Sequence, residues 1–574
     1  MTATPMPLSP NPALVTREAV RRLPRWALLA LCTAYLLPGL FGRDPWRSAD
    51  LVAFAQMLSL AEGRSPWLAP MLGGISTHAA PLPHWIGAWA IQLGQGWLDP
   101  ALAARLPFTA LLALTLLAVW RATFHLASAD AAQPLRLAFG GEPPRHDYAA
   151  ALADGALLAL IATLGLLQPG HETTPELAQL AAIACWQWAL AAAATPRRPG
   201  DATPALHGRA GARIGLLCSL PALAACGAPT LAGLLVGGSM LLCWTPQRRA
   251  LQPWLLASAV LAAIAAWPLH GWAWRIGGWP DIGDLVKLWA WFLWPTWLLG
   301  AWGVWRWRQQ LLQWPLALPL LVLGLALLAS AAMNGAQSAL LLGLPGIAVL
   351  AAFALPTLRR SSAAAIDWFS VFAFTLVAAL VWLYHLGMLT GTPAAALATA
   401  RRLTPGFEPR ASWLPLLLAA VATLAWAALV RWRIGRHAPV LWKSLVLAAG
   451  GVGLSWTLLM TLWLPWLDYA RSNRPLVDAL RPHLDLSSRA CVAVPQGTPV
   501  LVAALEWHGR VRVDARSQSL DGSCSRVVIV WRQSADTPQP LHAELAAAGW
   551  HELARVRRPT ERQEWTLVFA RGAD

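Results

Sequence analysis

Three short stretches carry side chains able to do chemistry. The first is Gly42-Arg43-Asp44-Pro45-Trp46-Arg47, the second holds His78 and His84, and the third is Gly170-His171-Glu172-Thr173-Thr174-Pro175-Glu176. A carboxylate three residues before an arginine suits a pair in which Asp44 takes a proton from a hydroxyl and Arg47 clamps a phosphate. Glu172, Glu176 and His171 add a second polar group that faces the same compartment. Each also has a plainer reading. Asp44 can pair with Arg47 at a helix end, and Glu172 or Glu176 can be a first-turn acid with Pro175 at N1. Their position gives them interest, because both acidic stretches adjoin long apolar runs, where a carboxylate is costly unless solvated, paired or used.

Those runs dominate the chain. Of 574 residues 57% are hydrophobic and 13% charged, with a mean hydropathy of +0.48, whereas soluble domains carry about 25% charged residues. An ordinary cytosolic enzyme is excluded. At about 20 apolar residues per crossing, thirteen spans are expected near 24–41, 103–124, 148–168, 175–195, 213–226, 229–245, 251–270, 286–305, 314–332, 338–356, 367–388, 413–430 and 441–465. Pro221, Gly227 and Pro229 interrupt two of them, so 213–245 reads as a hairpin turning at Gly227-Ala228-Pro229.

The formal net charge of +16 is almost all arginine, since Lys287 and Lys443 are the lysines. The arginines cluster in alternate gaps between spans, from Arg17, Arg21, Arg22 and Arg25 to Arg431, Arg433 and Arg436. The opposite gaps hold only Arg43, Arg47, Arg64, Arg275, Lys287, Arg401, Arg402 and Arg410. That alternation is a topology signal rather than a nucleic-acid footprint. It places 1–23 in the cytoplasm, 24–466 in a transmembrane domain and 467–574 on the far side. The seven cysteines show no CxxC or Cys/His metal spacing.

The first outer loop, 42–102, has structure of its own. Asp50 to Ala61 has helical periodicity with Leu51, Phe54, Met57 and Leu58 on one face. From Pro81 a second helix is expected, whose Trp85, Trp89 and Trp97 suit the membrane interface. Such helices either cap the bundle or handle a partly lipidic substrate.

The run DPWRSADLVAFAQMLSLAEGRSPWLAPMLGG…APLPHWIGAWAIQL, followed by LAARLPFTALLALTLLAVWR, resembles the start of bacterial aminoarabinose-transferase-like enzymes. These are membrane glycosyltransferases of the protein-O-mannosyltransferase clan with the GT-C fold. Asp44 and Arg47 match the family's Asp-Glu-x-Arg, Trp67 and Pro70 its Gly-Asp-Trp-like turn, Pro81 its Glu-Lys-Pro, and Thr174-Pro175-Glu176 its Thr-Pro-Asp-like motif. The resemblance runs in order over roughly residues 40–360. Three departures stand out. Pro45 replaces the Glu after Asp44, His78-Ala79-Ala80 replaces the Glu-Lys pair, and Gly227-Ala228-Pro229 replaces Lys-Gly-Pro.

The resemblance implies a multi-pass protein of the bacterial inner membrane with a periplasmic tail. It would take a sugar from a polyprenyl-phosphate donor and pass it, with inversion, to a lipid, glycan or protein acceptor. Asp44 is the expected base. With the family lysines gone, the phosphate would fall to Arg47, His78, His84, Lys287 or the arginines 401, 402 and 410, while Glu176, Glu172 and His171 complete the expected substrate site. No cofactor is implied, and no P-loop or Rossmann fingerprint is present. A divalent ion on His78, His84 and Asp44 or Glu176 is the less expected arrangement, since lone interfacial histidines usually hydrogen-bond locally. A catalytically silent relative, or a lipid-linked-sugar transporter, is the alternative. A transporter should show repeats or midplane charges, and none is clear.

From about Asp468 the apolar runs shorten. Helices are expected at 474–484, 498–508 and 539–549, and strands at 490–495, 510–514, 526–532, 551–558 and 564–571, which together make a small α/β domain. Cys491 and Cys524 are its only cysteines, each beside a strand, and can form a disulfide in an oxidising compartment.

Overall fold

The computed structural model describes residues 11–46, 49–76, 80–135, 141–195, 205–267, 276–434, 440–484, 491–495, 497–516, 524–532 and 540–571. Arg47 and His78 lie outside the described residues.

The apolar runs fold as a helical bundle. Six helices are long and apolar enough to cross a membrane: Pro100–Ala127, Pro175–Ala194, Arg249–Ala266, Trp314–Ala332, Arg360–Thr390 and Trp413–Ile434. Two further expected spans are helix pairs bent by 73°, Arg145–Ala162 with Leu164–His171 and Lys443–Leu459 with Leu464–Arg471. The first bend has a visible cause. At Leu164 the backbone N–H leaves its own helix and donates to Trp294 O (2.9 Å), and the Thr163 hydroxyl meets that of Thr296 at 2.6 Å.

Other windows are shorter than their apolar length suggests. The first helix stops at Leu36, and residues 286–305 fold as Ile282–Phe292 and Thr296–Arg306 on either side of Pro295. Residues 338–356 likewise split into Gln337–Leu341 and Leu344–Ala354, with Pro345 in the first turn of the second piece. Proline lacks the N–H that would continue the preceding helix. The hairpin is present: Ala205–Ala225 and Pro229–Leu242 turn at Gly227, whose φ of +88° suits a residue without Cβ.

The periodicity of Asp50 to Ala61 appears as helix Ala49–Ala61, but this helix does not lie half-exposed on a surface. All of its residues from 50 to 60 are buried except Val52, which is half-buried. Phe54, Met57 and Leu58 join the core of the bundle, while Leu51 and Ala55 join the core of the tail. The face read from periodicity is itself divided, Leu51 going to the tail and Phe54, Met57 and Leu58 to the bundle. Helix Pro81–Gly94 leaves Trp89 half exposed and is followed by an open Trp97, as an interfacial segment requires.

In the tail, β3 (Cys491–Ala493), β4 (Arg512–Asp514), β5 (Arg526–Arg532), β6 (Trp550–Val556) and β7 (Glu564–Arg571) form a sheet ordered β4-β3-β5-β7-β6. It is parallel around β3 and antiparallel around β7. Helices Arg474–Leu480, Pro499–Ala504 and Pro540–Ala547 complete it. Cys491 and Cys524 are disulfide-bonded, with Cα atoms 4.7 Å apart.

A ribbon of β1 (Met71–Leu72) and β2 (Ile75–Ser76) from the first loop docks onto the tail at its Gly73-Gly74 turn. Gly73 O accepts from Ala515 N–H (2.8 Å), and Gly73 N–H donates to Glu506 (3.2 Å). A Cβ at Gly73 would stand 2.8 Å from Val502 and 2.9 Å from Ala515, and its φ is +56°. Only glycine fits the approach. Arg64 adds an ion pair to Glu506 at 2.7 Å.

Candidate active site

The docking of tail onto bundle encloses Asp44. Residues 42–46 leave the first helix as irregular chain, and Pro45 helps keep this stretch from continuing as helix. Across from it, helix Leu464–Arg471 ends and Ser472-Asn473 turns into helix Arg474–Leu480. Arg474 Nη2 donates to Asp44 Oδ1 (2.6 Å) and Arg474 Nε to Asp44 Oδ2 (2.9 Å), a two-point guanidinium–carboxylate pair. The Ser472 hydroxyl donates to Asp44 Oδ2 (3.1 Å) and accepts from Arg474 N–H (3.0 Å). His508 Nε2 stands 3.4 Å from the same hydroxyl.

Burial works against the Asp44 carboxylate, but the hydrogen bonds and charge of Arg474, with His508 and Ser472, outweigh it and hold the group below the usual carboxylate range. Burial pushes the His508 imidazole down to about 4 against the opposing charge of Asp44.

Asp468 stands directly behind. Its carboxylate accepts from Trp46 Nε1 (2.7 Å) and from Asp44 N–H (3.3 Å), fixing the backbone that carries Asp44. Arg43 and Arg471 both lie over the Trp46 ring, each 4.9 Å from its centroid. Asp44, Asp468, Ser472, Arg474, Tyr469 and Phe407 border an open cavity of about 570 Å3.

A second, buried layer supports the first. Asp50 accepts from Thr173 N–H and Oγ1 (2.8 Å each) and from Trp46 N–H (3.1 Å), with Arg43 Nη2 at 3.7 Å. Gln168 bridges Glu172 (2.7 Å) and Arg471 (2.6 Å). Burial, then the charge of Asp50, raises Glu172 to about 7 against Gln168, Arg43 and Arg471. Arg105, buried near the start of helix Pro100–Ala127, lines a cavity of about 10 Å3 beside His171, room for one water.

The expected site residues separate into groups. Asp44 is at the cavity, and Glu172 is in the layer behind it. His171 is held by backbone and aromatic contacts: its ring nitrogens face Leu167 O (2.7 Å) and Tyr35 O (2.8 Å), and its ring packs on Trp456. Glu176 sits half-buried in the first turn of Pro175–Ala194. Lys287 pairs with Asp284 at 3.0 Å, both open to the surroundings and neither bordering the cavity.

His84 is buried in helix Pro81–Gly94 with Nδ1 donating to Ala80 O (2.5 Å), and burial pushes it down to about 4. The structure also brings two of the departures together. A Cβ on Gly227 would lie 3.3 Å from the Cβ of Ala80. The residues missed from sequence are Asp468, Ser472, Arg474 and His508. A Ser-x-Arg run following an aspartate in the membrane-proximal tail was the only local signal.

Solved structures decide the architecture. ArnT from Cupriavidus metallidurans bound to undecaprenyl phosphate superimposes on this chain with a TM-score of 0.58 at 14% identity, over 95% of this chain and 97% of the other. The chain has the ArnT fold. ArnT in the apo state gives a TM-score of 0.54 at 14% identity, over 95% and 96%. No family model matches the sequence, and no curated protein does. The GT-C architecture expected from the sequence, a polytopic helical membrane domain with a small α/β tail, is therefore the architecture found. Because the ArnT match covers both chains nearly end to end, the tail belongs to the shared architecture.

Proposed function

We propose that the protein is a bacterial membrane glycosyltransferase that takes a sugar from a polyprenyl-phosphate donor and passes it to an extracytoplasmic lipid, glycan or protein acceptor. The observation that carries this is Asp44, the residue matching the family's first motif, standing at the mouth of a cavity of about 570 Å3 between bundle and tail. The ArnT fold, seen in a protein bound to undecaprenyl phosphate, supports the donor class.

In this reading the acceptor hydroxyl attacks the anomeric carbon from the face opposite the phosphate. The new O–C bond forms as the C–O bond to phosphate breaks, and the departing electron pair stays on the polyprenyl phosphate. Asp44 takes the hydroxyl proton, so one displacement inverts the anomeric centre. Guanidinium groups near the leaving phosphate stabilise its charge. Asp468 and Trp46 keep the Asp44 backbone from moving during the step.

The test is incubation of purified protein in lipid nanodiscs with a panel of polyprenyl-phosphate sugars. Consumption of one donor with release of polyprenyl phosphate is expected, and no consumption of any donor counts against the reading. The contact between Ala80 and Gly227, in place of the two family cations, favours a second reading: a silent relative that binds the lipid phosphate without transfer. Binding without turnover across the whole panel selects it.

A further inference from the structure

We infer that Arg474 is the donor-phosphate ligand of this site, and that it reaches the phosphate by letting go of Asp44, so that arrival of the anionic lipid bares the base. This deepens the glycosyltransferase reading and rests on it.

Both oxygens of Asp44 are engaged, Oδ1 by Arg474 Nη2 and Oδ2 by Arg474 Nε and Ser472. A carboxylate gripped at both oxygens by a guanidinium is a weak base. The grip is nonetheless placed to open. The Arg474 side chain is 56% exposed against 17% for Asp44, so swinging the guanidinium costs little burial.

Among the described residues that border the cavity, Arg474 is the only basic one. Three other described cations are committed or distant from it. Arg64 is held by Glu62 and Glu506, Lys287 pairs with Asp284, and Arg43 is buried over Trp46. Where the resemblance would place lysines, Ala80 and Gly227 meet instead.

A phosphate presents the same two-oxygen edge as a carboxylate and carries more charge, so it competes for the fork on favourable terms. The remaining acids do not stand in the way, since Asp468 is occupied by Trp46 and the Asp44 N–H, and Asp478 faces Arg481 at 3.8 Å. When the fork transfers, Asp44 Oδ1 loses its partner while Ser472 still holds Oδ2. One oxygen is bared toward the cavity on a carboxylate that remains oriented. The exchange moves no proton and breaks no covalent bond.

The test measures undecaprenyl phosphate binding to the full protein in nanodiscs for the wild type, Arg474→Ala, Arg474→Lys, Asp44→Asn and the Asp44→Asn/Arg474→Ala double variant. Arg474→Ala is expected to weaken binding by about tenfold or more, with Arg474→Lys in between because it keeps the charge and loses the fork. Asp44→Asn, which frees Arg474, is expected to tighten binding severalfold, a gain that misfolding cannot produce. In the double variant that gain should vanish.

Unchanged binding by Arg474→Ala overturns the inference, as does unchanged or weaker binding by Asp44→Asn. A gain that survives undiminished in the double variant overturns it too, because it then reflects only the loss of negative charge. A wild type that binds no undecaprenyl phosphate overturns both this inference and the donor reading. Binding that is indifferent to Arg474 overturns this inference alone.

Discussion

The N–H and the hydroxyl of Thr173 both donate to one oxygen of Asp50, each at 2.8 Å, and the carboxylate is 1% exposed. This ties the turn before helix Pro175–Ala194 to the segment that carries Asp44, and its other oxygen holds Trp46 N–H with Arg43 nearby. Asp50→Ala therefore leaves the Arg43 guanidinium buried without its counter-charge. A loss of about 3–5 kcal/mol is expected, as for other broken buried pairs, read as a drop in unfolding temperature and in the yield of detergent-extracted protein.

Glu172 makes stability depend on pH. Its carboxyl titrates at about 7 in the folded protein against an ordinary 4.5, so between those values the folded state holds a proton that the unfolded state has released. Stability from this group is therefore lost as pH rises from about 4.5 to about 7 and stays flat above that. Glu172→Gln, which cannot ionise, should flatten the dependence and raise the unfolding temperature at pH 8 more than at pH 5. Equal shifts at both pH values would contradict the assignment.

Asp44→Asn is expected to reduce sugar transfer by about 10²–10⁴-fold, measured as turnover of whichever donor the panel identifies. Because Asp44 in the donor-free protein is held below the usual carboxylate range, wild-type kcat/KM should persist into acid. Arg474→Ala removes the main opposition to burial in the donor-free protein, so the carboxyl rises and the acidic limb of the kcat/KM profile moves to higher pH. A limb that stays in place would mean that the titrating group is not Asp44.

The Cys491–Cys524 bridge ties the start of β3 to the segment leading into β5. Alkylation of the denatured, unreduced protein should label the five free cysteines and, after reduction, all seven. Replacing both bridged residues with serine should cost about 2–5 kcal/mol of tail stability, followed as protease sensitivity of the tail.

Much of this was legible in the sequence, and what was not shares one cause. Each expected span corresponds to a helix, a bent helix or a proline-split pair, because burial in an apolar medium writes itself locally as hydropathy. The tail elements fall within a few residues of expectation because strand alternation is also written locally, with β5 at 526–532 matching outright. Asp44 could be found because it is an acid beside an apolar run. The partner the structure describes could not. Arg47, the local candidate, lies outside the described residues, whereas Arg474, 430 residues on, pairs with Asp44, and no spacing rule reaches that far. The burial of nearly all of residues 50–60 was hidden in the same way, since the second covering surface of their helix is made by the tail.

That helix has a consequence for how the protein is made. Leu51 and Ala55 belong to the hydrophobic core of a domain whose strands lie more than 400 residues downstream. During synthesis the first loop must emerge and wait with part of an unfinished core uncovered until the last hundred residues have been translated and delivered to the same side. A chain stopped near residue 466 would thus be more than a bundle without a cover. It would carry an orphaned apolar stripe beside its own Asp44, the kind of surface that membrane proteases and chaperones recognise, so assembly of the site and survival of the protein hang on the same late event.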